Sequence, residues 1–367
     1  MQLETTRGCF NTCAFCVSGG EKPVRTLSLE ATRKRLDVIH QHGIKNVRVL
    51  DRTFNYNNKR AKELLNLFRE YPDICFHLEI HPALLSEELK KELAGLPKGL
   101  LHLEAGIQSL REPVLEQSRR MGRLSDALDG LKYLCSLHNM ETHADLIAGL
   151  PLYHLSEIFE DIHTLAEYGA GEIQLESLKL LPGTEMRRRA EELGIQYAPL
   201  PPYEVLQTRE ISVDELQTAR VLSRLLDGFY NTPTWPNITR TLMLENEHFL
   251  HHFLDHLMQI GLIDQPLSLE KRGLILYEFC KQNYPAYQTQ VSIAWIEAGM
   301  SLKKLPAEKV KTKRQIPPET WITIYGKYKE TLRLCFLPAN QEGQAGYWFG
   351  FESEIQKAEP VFKALTM

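Results

Sequence analysis

Three cysteines stand at positions 9, 13 and 16 in "ETTRGCFNTCAFCVSGG", a C-x3-C-x2-C spacing. Thiolates are soft ligands that favour zinc, copper(I) or iron–sulfur clusters. A structural zinc site closes with four ligands, and ferredoxin-type clusters also take four thiolates. The next cysteine, Cys75, lies far along the chain in a segment that reads as a strand. Three thiolates from one loop can hold three corners of a cubic 4Fe–4S cluster and leave the fourth iron open, as a catalytic zinc keeps one position free. Zinc and a chance group of core cysteines are the competing readings. Free cysteine is often a core residue, but a Gly/Asn/Ser-rich turn is a poor place for three of them.

Such a loop needs a scaffold. Six β-like runs recur: "QLETT" at the start, "NVRVLD" from Asn46, "CFHLEI" from Cys75, "LLHLEAGIQS" from Leu100, "ETHADLIAGLP" from Glu141 and "EIQLESLKLLPG" from Glu172. Segments of helical pattern separate them, with Ser28 placed to cap the first and Gly43 to end it. Alternation at this spacing predicts βαβ units and a parallel sheet, either doubly wound or an incomplete barrel. In both, ligands collect at the C-terminal ends of the strands, where the cysteine loop sits. From about Ala198 the grammar changes. "APLPPYEVL" reads as a linker or covering loop, then come four helical segments, a basic stretch "EKVKTKRQIPP" and a β-rich tail. Two domains are expected, 1–200 and 201–367, the second mostly helical with a terminal β-hairpin.

The bounds agree. The 367 residues suit one large domain or two smaller ones, and the composition (43% hydrophobic, 25% charged) is that of an ordinary globular chain. A net charge of −4 gives no reason to expect nucleic acid or a membrane surface as partner. No apolar run is long enough to span a bilayer, and no secretory h-region opens the chain. Seven cysteines, three crowded together, suit metal ligation in a reducing cytoplasm better than a disulfide framework.

The C-x3-C-x2-C motif, with Phe15 before its last cysteine and after the first strand of a partial barrel, resembles the radical S-adenosylmethionine superfamily over about residues 1–200. The resemblance implies an α/β fold, a partial (β/α)6 TIM-like barrel. It implies a 4Fe–4S cluster on Cys9, Cys13 and Cys16, with the open iron chelated by the amino and carboxylate groups of S-adenosylmethionine. One electron, from a donor such as flavodoxin or ferredoxin, would release methionine and a 5′-deoxyadenosyl radical. That radical would abstract hydrogen from a small-molecule or peptide substrate. "DRTFN", "LEAGIQS" and the tail are similar to a cobalamin-domain-associated branch of the superfamily with an uncharacterised C-terminal domain. The cobalamin-binding domain expected ahead of the barrel is missing from these residues, so cobalamin would enter only through that domain. A cobalamin-dependent methyltransferase is the alternative enzyme reading. A cluster-bearing electron-transfer or scaffold protein is the alternative without catalysis.

The resemblance also assigns residues. The literal "GGE" at Gly19–Glu21 lies in the wrong element, so the acceptor for the methionine ammonium is expected at Asp51, at the end of strand two. Glu104, Gln108 and Ser109 on strand four are expected to meet ribose and methionine. Arg120, with Arg119 as fallback, is expected to pair with the methionine carboxylate, as a guanidinium does well. Ile147 and Gly149 on strand five are expected beside adenine. On alternation, His77, Glu79 and His81 share one face of strand three and are candidate catalytic groups. His143, Asp145 and Glu176 face the same interior. Tyr203 is expected to close over the site. His248, His252 and His256 share a helix face that reads as solvated rather than metal-binding.

Overall fold

The computed structural model describes residues 1–232, 235–262, 265–298, 300–301, 304–307, 332–338 and 346–352. The basic stretch 308–318 lies outside them. The chain divides into two compact units, one of residues 1–227 with 243–250 and one of residues 228–242 with 251–367.

The first unit is built on a six-stranded sheet of β1 (Gln2–Leu3), β2 (Asn46–Val49), β3 (Cys75–Ile80), β4 (Leu101–Gln108), β5 (Glu141–Ala148) and β6 (Glu172–Ser177). The strands neighbour one another in chain order and every pair is parallel. This is the incomplete barrel rather than the doubly wound sheet, in which strand order would reverse. Helices cross between the strands as the capping signals require. The Ser28 side chain accepts from the Ala31 N–H to start α1 (Leu29–Gln41), and Asn57 does the same for Arg60 at the head of α2 (Asn58–Phe68). Gly43, just past α1, takes φ 66°, the left-handed conformation that ends a helix. α3 (Glu87–Ala94) is capped by Ser86, and α4 (Leu155–Tyr168) ends at Gly169 with φ 88°.

Burial alternates along the strands with period two. In β3, Phe76, Leu78 and Ile80 are buried against the helices while Cys75, His77 and Glu79 stay half-buried on the inner face. Phe76 stacks on Phe68 of α2 with ring centroids 4.1 Å apart, and both rings are fully buried. Each such side chain contributes about 1.5–3 kcal/mol through burial, so the outer face holds helices to sheet. The inner face is polar instead. Cα partners run Arg48–His77–His102 across one level and Glu79–Glu104–His143–Glu172 across the next.

The second unit has a separate aromatic core. Trp235 and Trp295 are fully buried, and a Cβ on Gly273 would lie 2.7 Å from one ring and 2.8 Å from the other. Phe253 meets Phe229 at 4.9 Å and Phe279 at 4.8 Å. The expected hairpin is present: β7 (Leu332–Pro338) pairs antiparallel with β8 (Gly346–Glu352). His252 meets the Tyr284 hydroxyl at 3.2 Å and His256 packs on Phe279, which leaves this helix face as ordinary structure. No helix among the described residues is long and apolar enough to cross a membrane.

Candidate active site

The loop after β1 is folded by its own backbone. Cys9 N–H donates to Glu21 O at 3.0 Å, Gly20 N–H to Asn11 O at 2.7 Å, and Cys16 N–H to Cys13 O at 3.1 Å. Gly20 has φ 74°, and a Cβ on Gly19 would sit 2.6 Å from Cys13 O. The "GGE" sequence therefore closes the cysteine loop, a role only glycine fills at these two positions. Asn11 ties the loop to the far side of the barrel, its Oδ1 accepting from Met121 N–H at 3.2 Å. Cys9 and Cys13 are buried and Cys16 is half-buried, all as free thiols.

The loop opens on a cleft with about 690 Å³ of empty space out to solvent, lined by Cys9, Cys13 and Cys16, by Phe15, and by side chains from β3, β4 and β5. Glu79, His81, Glu104, Gln108, Arg120 and Asp145 face it together. The strand ends and the cysteine loop thus converge, as expected for this face of a parallel α/β layer.

Arg120 spans the two sides. Its Nη1 lies 3.6 Å from Cys13 Sγ, and its Nη2 donates to Gly106 O. Burial pushes the Cys13 thiol up from its ordinary value, and the Arg120 guanidinium opposes that. Arg119 takes a left-handed conformation (φ 52°) and turns outward to Glu185 at 2.6 Å, which separates the two arginines. Gln108 is re-aimed by a register shift between Gly106 and Gln108, where Gln108 has φ 67°. A Cβ at Gly106 would come within 2.7 Å of Gln108 Nε2, so the glycine makes room for that side chain. Gln108 Oε1 is buried without a hydrogen-bond partner, an acceptor available to a ligand.

The acids differ in state. Glu104 accepts from His77 Nε2 at 2.6 Å and lies 3.1 Å from Arg48 Nη2; the His77 hydrogen bond holds its carboxyl below the usual range. Burial, then the Glu104 charge, raises Glu79. Burial also raises Asp145, against the pull of His143 at 3.0 Å. His81 sits one residue beyond β3, held at both backbone groups by the Asn55 amide at 2.8 and 2.9 Å. Burial, then the Arg120 charge, pushes its pKa down to about 3, so the imidazole is neutral. Its Nε2 donates to Met121 O at 3.0 Å.

Six expected residues lie elsewhere than on the cleft lining. Asp51 is fully buried beneath the site and accepts from Thr5 N–H at 2.7 Å, Thr6 N–H at 2.8 Å and the Thr5 hydroxyl. Three donors already hold this carboxylate, and the following Arg52 and Thr53 line the cleft instead. Ser109 turns away as well: its Oγ accepts from Arg111 N–H at 3.1 Å and lies 3.4 Å from the Asp161 carboxylate. Tyr203 packs under the Arg187 guanidinium at 4.7 Å and does not line the cleft. His77 stacks on His102 at 4.8 Å, deeper between the strands than the cleft lining. Ile147 stays half-buried on the inner face two residues past Asp145, and Gly149 takes φ 90° against Val205 and Leu216; neither lines the cleft. Asn11, Asn55, Arg52 and Thr53 were missed from sequence. Only the last three carried a signal, as neighbours of Asp51 in "DRTFN".

Residues 3–165 match the radical SAM superfamily, and residues 191–363 match a family of proteins of unknown function, DUF4080. An uncharacterized methyltransferase of Pyrococcus horikoshii is 32% identical over 117 residues, which is 30% of this chain and 25% of that protein. Among solved structures, the radical S-adenosylmethionine methyltransferase TsrM of Kitasatospora setae, bound to tryptophan and an S-adenosylmethionine analogue, aligns with TM-score 0.47 and 18% identity. That alignment covers 57% of this chain and 42% of TsrM. The cobalamin-dependent enzyme OxsB aligns with TM-score 0.48 and 15% identity over 83% of this chain and 56% of its own length. The chain thus spans a quarter of the curated relative it matches.

Proposed function

We propose that this chain, an enzyme whose residues 3–165 form a radical SAM superfamily domain, cleaves S-adenosylmethionine reductively and uses the product radical on a substrate held in the cleft. The superfamily brings a 4Fe–4S cluster and S-adenosylmethionine, which supply one-electron cleavage to methionine and a 5′-deoxyadenosyl radical. The observation that carries the reading is the convergence of three loop thiols with Arg120, Gln108 and the acids of β3 to β5 on one cleft. The donor set fits: three thiolates bind the cluster and leave one iron for the cosubstrate.

The residues of the chain then have distinct tasks. Arg120, between Cys13 and β4, presents a guanidinium suited to a carboxylate. Gln108 offers its unpaired Oε1 to a hydroxyl or ammonium. Phe15 lines the cleft beside the three cysteines and adds an apolar face to its wall. Glu79, its carboxyl raised by burial and by the Glu104 charge, is the acid of the cleft wall disposed to hold a proton. A one-electron donor such as flavodoxin or ferredoxin supplies the electron.

A second reading is methyl transfer, favoured by the stretch shared with the Pyrococcus horikoshii methyltransferase, with cobalamin held outside these residues as the methyl carrier. Two measurements on the anaerobically reconstituted chain test these readings. S-adenosylmethionine should shift the electron paramagnetic resonance signal of the reduced cluster, because it binds the open iron. An unshifted signal would count against the first reading. Methylated product that depends on added cobalamin would select the second.

A further inference from the structure

We propose that His102, His143 and Glu172 form a binding site for one divalent ion of the zinc class, at the N-terminal ends of β4, β5 and β6. The three residues come from adjacent parallel strands near their first residues, whereas the cysteine loop lies beyond the opposite ends. His102 and Gln108 are six residues apart on one strand, about 20 Å at a strand's rise. The site therefore lies beneath the cleft floor, with Glu104 and Asp145, two residues on from His102 and His143, between it and the mouth.

One ligand atom from each residue lies within 4.8 Å of the others, and His143 Nδ1 is 3.8 Å from Glu172 Oε2. Zinc takes imidazole nitrogen and carboxylate oxygen at about 2.0–2.2 Å, which sets ligands roughly 3.3 Å apart in a tetrahedron. Small side-chain rotations close that gap without moving a strand. Two histidines and one glutamate leave a fourth position for water, the pattern of an open zinc site.

The surroundings are those of a metal site. A ligating histidine is usually oriented by a carboxylate at its other nitrogen. His102 Nδ1 faces Glu141 Oε2 at 3.5 Å, and His102 Nε2 is buried with no hydrogen-bond partner. His143 Nε2 faces Asp145 Oδ1 at 3.0 Å, leaving Nδ1 toward Glu172. His143 is 8% exposed, so its uncommitted lone pair is desolvated. His77 stacks on His102 and fixes its ring plane. Glu172, with its side chain 36% exposed, provides the entry path. A cation here would also offset the carboxylates of Glu79, Glu104, Glu141 and Asp145 on the inner face.

The test is a cobalt(II) titration of the full chain carrying Cys9→Ala, Cys13→Ala and Cys16→Ala, which cannot hold the cluster. One equivalent should bind with visible d–d bands and no thiolate charge-transfer band. Adding His143→Ala or Glu172→Gln should weaken binding by more than about 100-fold, beyond the roughly 10–100-fold that loss of an outer carboxylate costs. Absence of stoichiometric binding, or binding unchanged by those substitutions, would overturn the site. Zinc-edge absorption of the cluster-loaded wild-type chain gives a second answer should the triple variant fold poorly. Two imidazoles with oxygen donors support the site, and sulfur donors or no bound zinc refute it. Neither experiment depends on cleavage of S-adenosylmethionine.

Discussion

Asp51 and Thr5 are locked together: the Asp51 carboxylate, two residues past the end of β2, accepts the Thr5 backbone N–H at 2.7 Å and the Thr5 hydroxyl as well. With Thr6 N–H at 2.8 Å as a third donor, this one side chain fixes the entry into the cysteine loop. Replacing it by alanine leaves two buried N–H groups unpaired, a cost of about 3 kcal/mol. Denaturant unfolding of cluster-free Asp51→Ala should show that loss. Asp51→Asn, which keeps one acceptor oxygen, should lose less and still assemble the cluster. If Asp51→Asn instead folds normally but fails to bind S-adenosylmethionine, Asp51 is a ligand group after all.

The two arginines should separate cleanly. Arg120→Ala is expected to weaken S-adenosylmethionine binding at least tenfold, about 1.4 kcal/mol for a lost charge-assisted contact. Arg119→Ala should leave that affinity alone and cost less than about 1 kcal/mol of stability, since its pair with Glu185 is largely solvated. Equilibrium binding on the reconstituted protein distinguishes them, and equal effects would contradict the placement of Arg120.

Ser109 belongs to a structural cluster around Asp161. That carboxylate accepts from the Tyr153 hydroxyl at 2.6 Å, Leu110 N–H at 2.8 Å and Arg111 Nε at 2.9 Å. Asp161→Ala leaves the buried Tyr153 hydroxyl and the Leu110 N–H unpaired, while Arg111 keeps Glu160, and should cost about 3 kcal/mol, read as a lowered melting temperature. Ser109→Ala should change stability more than it changes S-adenosylmethionine affinity.

Acid should loosen the fold through His81. Its folded pKa of about 3 lies below the ordinary 6.5, so the folded imidazole stays neutral while the unfolded one takes a proton. The stabilisation is complete above pH 6.5 and is lost as pH falls toward about 3. Between pH 7 and 5.5 the cluster-free chain should lose about 1 kcal/mol from this group alone. Unfolding of His81→Gln at the two pH values should lack that increment.

The barrel and its cysteines were legible because both follow local rules. Period-two burial, Ser28 and Asn57 caps and the C-x3-C-x2-C count are written in contiguous residues. Asp51 and Ser109 were misplaced for a physical reason. A strand-end carboxylate or hydroxyl can face a ligand or cap nearby N–H groups, and tertiary neighbours 46 and 52 positions away decided it. The re-aiming of Gln108 rests on a register shift that no pattern of residue types announces. His81 left the strand face because β3 ends at Ile80.

The central claim is tested most directly by product analysis of the anaerobically reconstituted wild-type chain with dithionite and S-adenosylmethionine. We predict 5′-deoxyadenosine and methionine in equal amounts, and none from the Cys9→Ala, Cys13→Ala or Cys16→Ala variants. A wild-type chain with its cluster intact that forms no 5′-deoxyadenosine would contradict the account.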